Sequence, residues 1–275
     1  MKIVHLTDTH LCDPGESLFE VDPGERLRCC IDDINRHHGD AALCVLTGDL
    51  AHRGSLPAYV RLREELGRLR VPHRLLLGNH DDRTRFKACF PEASTDGNGF
   101  VQSHVDLDGA RMVLLDTLQP GTHAGWLCEA RLSWLESAIA GAGERAVFIA
   151  MHHPPFAVGH PALDRMALVQ GEAFQAIVLQ SPRVRHIFFG HVHRPISGSW
   201  CNRTFSALNG TTGLSRLHFE EEDRPPRNLP PPAFSTALIR GDGIIVHTHV
   251  VNDPSPRFVY DDEANGQERK LVRLR

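Results

Sequence analysis

Short apolar runs alternate along most of this chain with segments whose apolar positions recur every three or four residues. The runs predict strands over 2–7, 41–46, 73–77, 145–150 and 184–189, and their near-continuous apolar character is that of strands covered on both faces. The helical periodicity predicts a helix opening at Asp22-Pro23, with Leu27, Cys30, Ile31 and Ile34 on its inner face. A second opens at Ser55-Leu56-Pro57 with Tyr59, Leu62, Leu66 and Leu69 inward, and two more span 129–139 and 171–179. Alternation weakens elsewhere. Segments 99–107 and 110–115 read as a hairpin around Asp108-Gly109, 196–218 as short strands, and 234–240 with 243–250 as a last hairpin around Gly241-Asp242-Gly243. The charged and then proline-rich stretch 220–232 (EEEDRPPRNLPPP) predicts a surface loop without regular structure, and the polar tail after Asp253 an extended segment. Strands alternating with helices predict layered α/β architecture.

Composition narrows the function classes. The 275 residues carry a net charge of −4, with 41% hydrophobic and 23% charged residues, ordinary values for a globular protein. No basic stripe suits a nucleic-acid polymer or an anionic membrane, so a small substrate is expected. The N-terminus runs straight into a strand, without the basic and apolar regions of a leader, and no apolar run is long enough to span a bilayer; a cytoplasmic protein is the expectation. The cysteines, at positions 12, 29, 30, 44, 89, 128 and 201, are odd in number and lack metal-knuckle spacing, and are expected to be reduced, with Cys44 buried in its strand.

Five short motifs follow apolar runs: Asp8-Thr9-His10, Gly48-Asp49, Gly78-Asn79-His80-Asp81, His152-His153-Pro154-Pro155 and Gly190-His191-Val192-His193. In an open α/β sheet ligands bind at the carboxyl ends of strands, so the five are expected to converge on one sheet edge. Each has a bland alternative: a two-residue Asp/His spacing arises by chance, Gly-Asp often marks only a turn, and a proline turn can carry an incidental histidine. Together, at strand ends, they are hard to dismiss. Their side chains offer carboxylate, imidazole and amide donors but no thiolate, a set suited to Zn, Mn, Fe or Co rather than Ca or Mg. Seven candidate ligands, Asp8, His10, Asp49, Asn79, His152, His191 and His193, exceed the needs of one catalytic ion and suit two divalent metal ions sharing a carboxylate. Gly48, Gly78 and Gly190 each precede a candidate, where the backbone must turn sharply off its strand.

The ordered motifs D-x-H, G-D, G-N-H-D, H and G-H-x-H resemble those of the calcineurin-like metallophosphoesterases, over residues 2–213. Thr7-Asp8-Thr9-His10, Gly78 to Asp82, Gly125-Trp126-Leu127, Ser133-Trp134-Leu135-Glu136 and Met151 to Pro155 are similar, more closely, to class III cyclic-nucleotide phosphodiesterases and their bacterial glycerophosphodiesterase branch. The resemblance implies a four-layer α/β/β/α sandwich over 1–219. Residues 220–275 would then be a proline-rich loop, a small C-terminal hairpin appendage and a tail, packing on the core or in contacts of a homo-oligomer. One ion would take Asp8, His10, Asp49 and His193, and the other Asp49, Asn79, His152 and His191. His80 would contact the substrate phosphate or leaving group, with Asp81 orienting it, and His153 would support the ligands from behind. The expected reaction is hydrolysis of a small phosphodiester by a hydroxide held at the metal pair, with His80 and Asp49 as catalytic residues. A phosphomonoesterase or protein phosphatase, and a non-catalytic binding module, are the competing readings. Two positions depart from the glycerophosphodiesterase branch: Gly213 stands where that branch carries a histidine, and Phe19 where it carries a tyrosine. Loops near Phe19, His52-Arg53, His123 and 161–165 are expected to set specificity.

Overall fold

The computed structural model describes residues 1–220, 226–261 and 270–273. The strands are β1 (Lys2–Leu6), β2 (Leu43–Thr47), β3 (His73–Leu76), β4 (Ser103–Leu107), β5 (Ala110–Leu115), β6 (Ala146–Met151), β7 (Val184–Phe189), β8 (Ile196–Trp200), β9 (Arg203–Ala207), β10 (Leu214–Ser215), β11 (Arg227–Asn228), β12 (Ala233–Arg240), β13 (Gly243–Val250), β14 (Phe258–Asp261) and β15 (Lys270–Arg273). The helices are α1 (Pro23–His37), α2 (Leu56–Leu66), α3 (Arg83–Cys89), α4 (Glu129–Ala140), the single turn α5 (Pro161–Asp164) and α6 (Gly171–Gln180).

Two sheets form the centre. One has the order β13-β12-β1-β2-β3, the other β4-β5-β6-β7-β9-β8. The period of two along each strand explains why they stack. In β2, Leu43 and Val45 face the second sheet, while Cys44 and Leu46 face α1 and α2. In β6, Phe148 and Ala150 meet the first sheet, while Val147, Ile149 and Met151 pack under α4 and α6. Three apolar layers therefore separate four layers of structure, helix, sheet, sheet, helix, as the resemblance implied. Helix starts follow the local chemistry: Asp22 accepts from the Gly24 N–H at 2.8 Å with Pro23 in the first turn, and Ser55 accepts from the Ala58 N–H at 3.3 Å.

Three expectations change. The C-terminal hairpin is no appendage: β12 pairs antiparallel with β1 in the register Lys2↔Leu238 to His5↔Ser235, and Phe234 and Ala237 are buried in two core layers. A strand flanked only by β2 would leave one row of β1 N–H and C=O groups unpaired, and β12 satisfies it. The proline-rich stretch is not wholly irregular, because Arg227 and Asn228 pair with Ser215 and Leu214; its residues 221–225 lie outside the described residues. The tail contains a hairpin, β14 with β15, although residues 262–269 of it lie outside the described residues. Helix α3 is an addition that the periodicity did not signal: it is short, buries only Phe86 and Cys89, and is capped by Asp82, which accepts from the Arg85 N–H at 2.8 Å. All seven cysteines are free thiols, and Cys44 is buried. No helix among the described residues is long and apolar enough to cross a membrane.

Candidate metal centre

The carboxyl ends of β1, β2, β6 and β7 lie side by side in the two sheets, and each delivers a motif in the residues just beyond it. The motif after β3 joins them: the Asn79 Oδ1 lies 3.2 Å from His152 Nε2 and 2.9 Å from His191 Nδ1. All seven candidate ligands therefore meet, although they come from five separate segments.

They form two adjoining groups. Asp8, His10, Asp49 and His193 place one donor atom each within 4.8 Å of one another, and all four are buried. His193 Nε2 is 3.2 Å from Asp8 Oδ1 and 3.0 Å from His10 Nε2. The second group is His152, Asn79 and His191. Asp49 lies between the groups with its two oxygens divided: Oδ2 faces His10 Nε2 at 3.6 Å, and Oδ1 faces His152 Nε2 at 3.3 Å.

The backbone is strained to achieve this. Asp8 (φ 52°), His10 (45°), Asp49 (49°), His191 (68°) and His193 (48°) all occupy the left-handed region, which costs a residue with a Cβ about 1 kcal/mol or more each. Gly78 and Gly190 answer a different need, close approach. A Cβ on Gly78 would stand 2.2 Å from Asp49 Oδ1, and one on Gly190 would stand 2.0 Å from Thr7 Oγ1.

Groups behind the cluster fix its tautomers and orientations. His152 Nδ1 donates to the Thr47 carbonyl at 2.7 Å, which turns Nε2 toward the cluster. A buried chain runs from His5 Nε2 through Thr47 Oγ1 (2.8 Å) and Thr7 Oγ1 (2.8 Å) to Asp8 Oδ2 (2.7 Å). Nothing in the sequence pattern marked His5, Thr7 or Thr47 as partners. Asp81 does not orient His80, contrary to expectation. Its carboxylate accepts from the N–H groups of Gly78 (2.8 Å), Leu50 (3.1 Å) and Ala51 (3.0 Å) and from the Tyr59 hydroxyl (2.9 Å), locking two motif loops together. His80 instead bonds the His52 carbonyl through Nδ1 at 2.8 Å and stacks on the His52 ring, with Nε2 4.0 Å from Asp49 Oδ2. His153 is buried behind the second group, with Nδ1 2.7 Å from Thr117 Oγ1 and its ring 4.8 Å from that of His191. Of the loop residues, His123 bonds the Asn79 amide at 2.8 Å, Arg53 pairs with Glu16 in solvent, and Phe19 lies beside Gly213.

The electrostatics suit a cationic occupant. Burial would push the Asp8 carboxyl up, but His193 outweighs it and holds Asp8 below the ordinary carboxylate range. Burial is likewise outweighed by His152 at Asp49, which is held well below that range. Burial keeps His10 well below 6.5 and His191 at about 3, so both are neutral donors. At His152 burial is overcome by Asp49, which lifts the imidazole to about 9. Buried carboxylates converge with Nε2 of His10, His193 and His152, Nδ1 of His191 and the Asn79 amide oxygen, a mixed oxygen and nitrogen donor set that two divalent ions would satisfy. The 3.0 Å between His10 and His193 nitrogens is near the roughly 3.3 Å separating two nitrogens on one tetrahedral ion.

The model of the family described as calcineurin-like phosphoesterase matches residues 1–195, the span that contains all seven residues. The chain is a calcineurin-like phosphoesterase. Within the family, it is 39% identical over 265 residues to a probable cyclic nucleotide phosphodiesterase of Rhodopseudomonas palustris, covering 95% of this chain and 97% of that one. It is 32% identical to a 3′,5′-cyclic adenosine monophosphate phosphodiesterase of Pseudomonas aeruginosa (70% and 69% covered) and 28% identical to a glycerophosphodiester phosphodiesterase of Enterobacter lignolyticus (95% of each). The same phosphoesterase fold is seen in a dimetal phosphatase from Danio rerio, with a TM-score of 0.69 at 16% identity, covering 92% of this chain and 96% of that one.

Proposed function

We propose that this phosphoesterase hydrolyses a small phosphodiester at a centre of two divalent metal ions. Asp8, His10, Asp49 and His193 would hold one ion, and Asp49, Asn79, His152 and His191 the other. The observation that carries this reading is the division of Asp49, whose two oxygens face the two donor groups at 3.6 and 3.3 Å. When bound, such a pair supplies the positive charge that activates water and offsets charge developing on the phosphoryl oxygens. The mixed nitrogen and oxygen donors suit Fe, Mn, Zn or Co.

The chain's own residues supply position and proton transfer. The His80 ring is held by the His52 carbonyl and by stacking, which presents Nε2 at the partly open side of the site. From there it can contact a phosphoryl oxygen or hand a proton to the leaving oxygen. Asp81, bonded to both motif loops, keeps Asp49 and Asn79 in register.

Two features favour a cyclic nucleotide over a glycerophosphodiester. A relative that is 39% identical over 95% of this chain bears the former name. The two positions that depart from the glycerophosphodiesterase pattern are also neighbours: a Cβ on Gly213 would lie 3.8 Å from the Phe19 ring. A histidine and a phenolic hydroxyl are thus both missing from one spot, and an apolar ring takes their place. A homo-oligomer built through the C-terminal hairpin is part of the same reading, supported by exposed Ile245 and Val250 on edge strand β13.

Metal-loaded protein assayed with bis-p-nitrophenyl phosphate, p-nitrophenyl phosphate and cyclic AMP tests the proposal. Turnover of the diesters should exceed that of the monoester, and Asp49→Asn should lower it about a thousandfold. A preference for the monoester would favour a phosphatase; metal binding without turnover of any of the three would favour a binding module.

A further inference from the structure

Residues 226–230 of the proline-rich stretch return to the candidate metal centre. Its strand β11 pairs with β10 in the register Ser215↔Arg227, and the Ser215 N–H donates to the carbonyl of His193 at 2.9 Å. Arg227 is therefore one strand away from a candidate ligand. The pairing is fastened on both sides: the Arg216 N–H donates to the Pro226 carbonyl at 3.0 Å, and the Arg26 guanidinium bonds the carbonyls of Thr211 and Pro230.

The Arg227 side chain lies over the Phe19 ring, with the guanidinium carbon 5.9 Å from its centroid. Phe19 is itself held in an unusual way. Leu18 and Val21 exchange backbone hydrogen bonds of 2.9 and 3.1 Å, and the two residues between them, Phe19 (φ 51°) and Glu20 (φ 66°), are both left-handed. That is the two-residue hairpin turn that Asn-Gly ordinarily fills, built here from residues that resist it. Phe19 remains 46% exposed, so the turn presents the ring without burying it.

Several other arginines answer a carboxylate: Arg28 meets Glu65, Arg61 meets Asp22, Arg83 meets Asp116, and Arg111 meets Asp106. Among the described residues no carboxylate forms an ion pair with Arg227. The carboxylates whose field it feels are Asp8 and Asp49, and it also acts on the His52 ring. A planar guanidinium with no ion pair among the described residues, one strand away from a site that must receive an anion, can offer two parallel N–H groups to two oxygens of one phosphoryl group.

We propose that Arg227 is a substrate-binding residue, taking the non-bridging oxygens of the incoming phosphodiester while the Phe19 ring beneath holds its guanidinium at the mouth of the site. Strand β11 thereby belongs to the active site. This inference rests on the phosphodiesterase reading, but its test does not depend on turnover.

The test uses the full chain loaded with metal. Inorganic phosphate binding is measured by titration calorimetry, and KM and kcat with bis-p-nitrophenyl phosphate, for wild type, Arg227→Gln, Arg227→Lys and Phe19→Leu; metal content is measured in each. Arg227→Gln should weaken phosphate binding and raise KM about tenfold or more, with kcat moved less than threefold, two ions per chain retained, and Arg227→Lys and Phe19→Leu falling between. Phosphate affinity and KM within twofold of wild type in Arg227→Gln would overturn the inference. So would a loss of bound metal in that variant, which would make Arg227 a structural support. If wild type turns over no diester, the functional reading fails, while the phosphate titration still decides the role of Arg227.

Discussion

Five of the seven residues that converge on the candidate metal centre hold backbone angles that side chains normally avoid. Such strain persists only where surroundings leave no alternative, and here the surroundings are within touching distance. Gly78 illustrates the tolerance: its Cα hydrogen occupies the space where a methyl group would meet Asp49 Oδ1 at 2.2 Å and the His152 ring at 2.7 Å. Gly78→Ala is accordingly expected to displace the shared carboxylate, lowering kcat/KM about a hundredfold and leaving fewer than two ions per chain by elemental analysis. A fully active, fully metallated alanine variant would show that the carboxylate is held less tightly than these contacts require. The ligand-type residues were readable from the sequence because apolar runs end at them. Their supports were not: His5, Thr7, Thr47 and Tyr59 look like ordinary members of strands and a helix until folding brings them behind Asp8 and Asp81.

At the level of elements, the site is a set of strand-end loops tied to one another more than to their own strands. Asp81 is the main tie. Each of its oxygens accepts two hydrogen bonds, from Gly78 and Leu50 at one and from Ala51 and Tyr59 at the other. Asparagine in its place would turn an NH2 toward donors at one of these positions. Asp81→Asn should therefore cost about 2–3 kcal/mol in denaturant unfolding and reduce activity with it. An unfolding midpoint equal to wild type would refute the tie. The same elements show the limits of periodicity. Helices α1, α2, α4 and α6 carry an apolar stripe and were predicted; α3 has too few apolar residues to show one and depends on its Asp82 cap and on packing against α2.

At the level of the whole molecule, the two sheets depend on partners far apart in sequence. Strand β12, some 230 residues after β1, completes the first sheet by pairing Leu238 with Lys2 and Ser235 with His5. A chain ending at Pro232 should show no cooperative thermal transition, because β1 would lose its neighbour and Phe234 and Ala237 would leave the core. A folded, metal-binding truncate would contradict this.

The middle of the sandwich also predicts a pH response. His186 is buried between its cross-strand partners, bonded to Thr204 at 2.7 Å and Ser206 at 2.8 Å, and burial lowers it to about 3. The unfolded chain, with His near 6.5, binds a proton there that the folded chain refuses, so stability is intact above pH 6.5 and falls as pH drops from 6.5 toward 3. The loss is about 1.4 kcal/mol per pH unit from this residue, and His186→Gln should flatten the stability profile between pH 6 and 5 by about that amount. An unchanged slope would place the acid sensitivity elsewhere.

What the sequence determined by itself is local: which segments are apolar enough to be strands covered on both faces, which carry a helical stripe, and which donors stand where strands end. Those properties depend on neighbours one to four residues away, so they can be read without a fold. Tertiary structure alone decided what depends on distant neighbours: that β12 lies beside β1, that Asp49 faces two groups at once, that Asp81 serves two loops rather than His80, and that Arg227 comes back to Phe19. Each of these is a contact between segments far apart along the chain, fixed by backbone pairing and packing of the two sheets, and no pattern within a single segment encodes it.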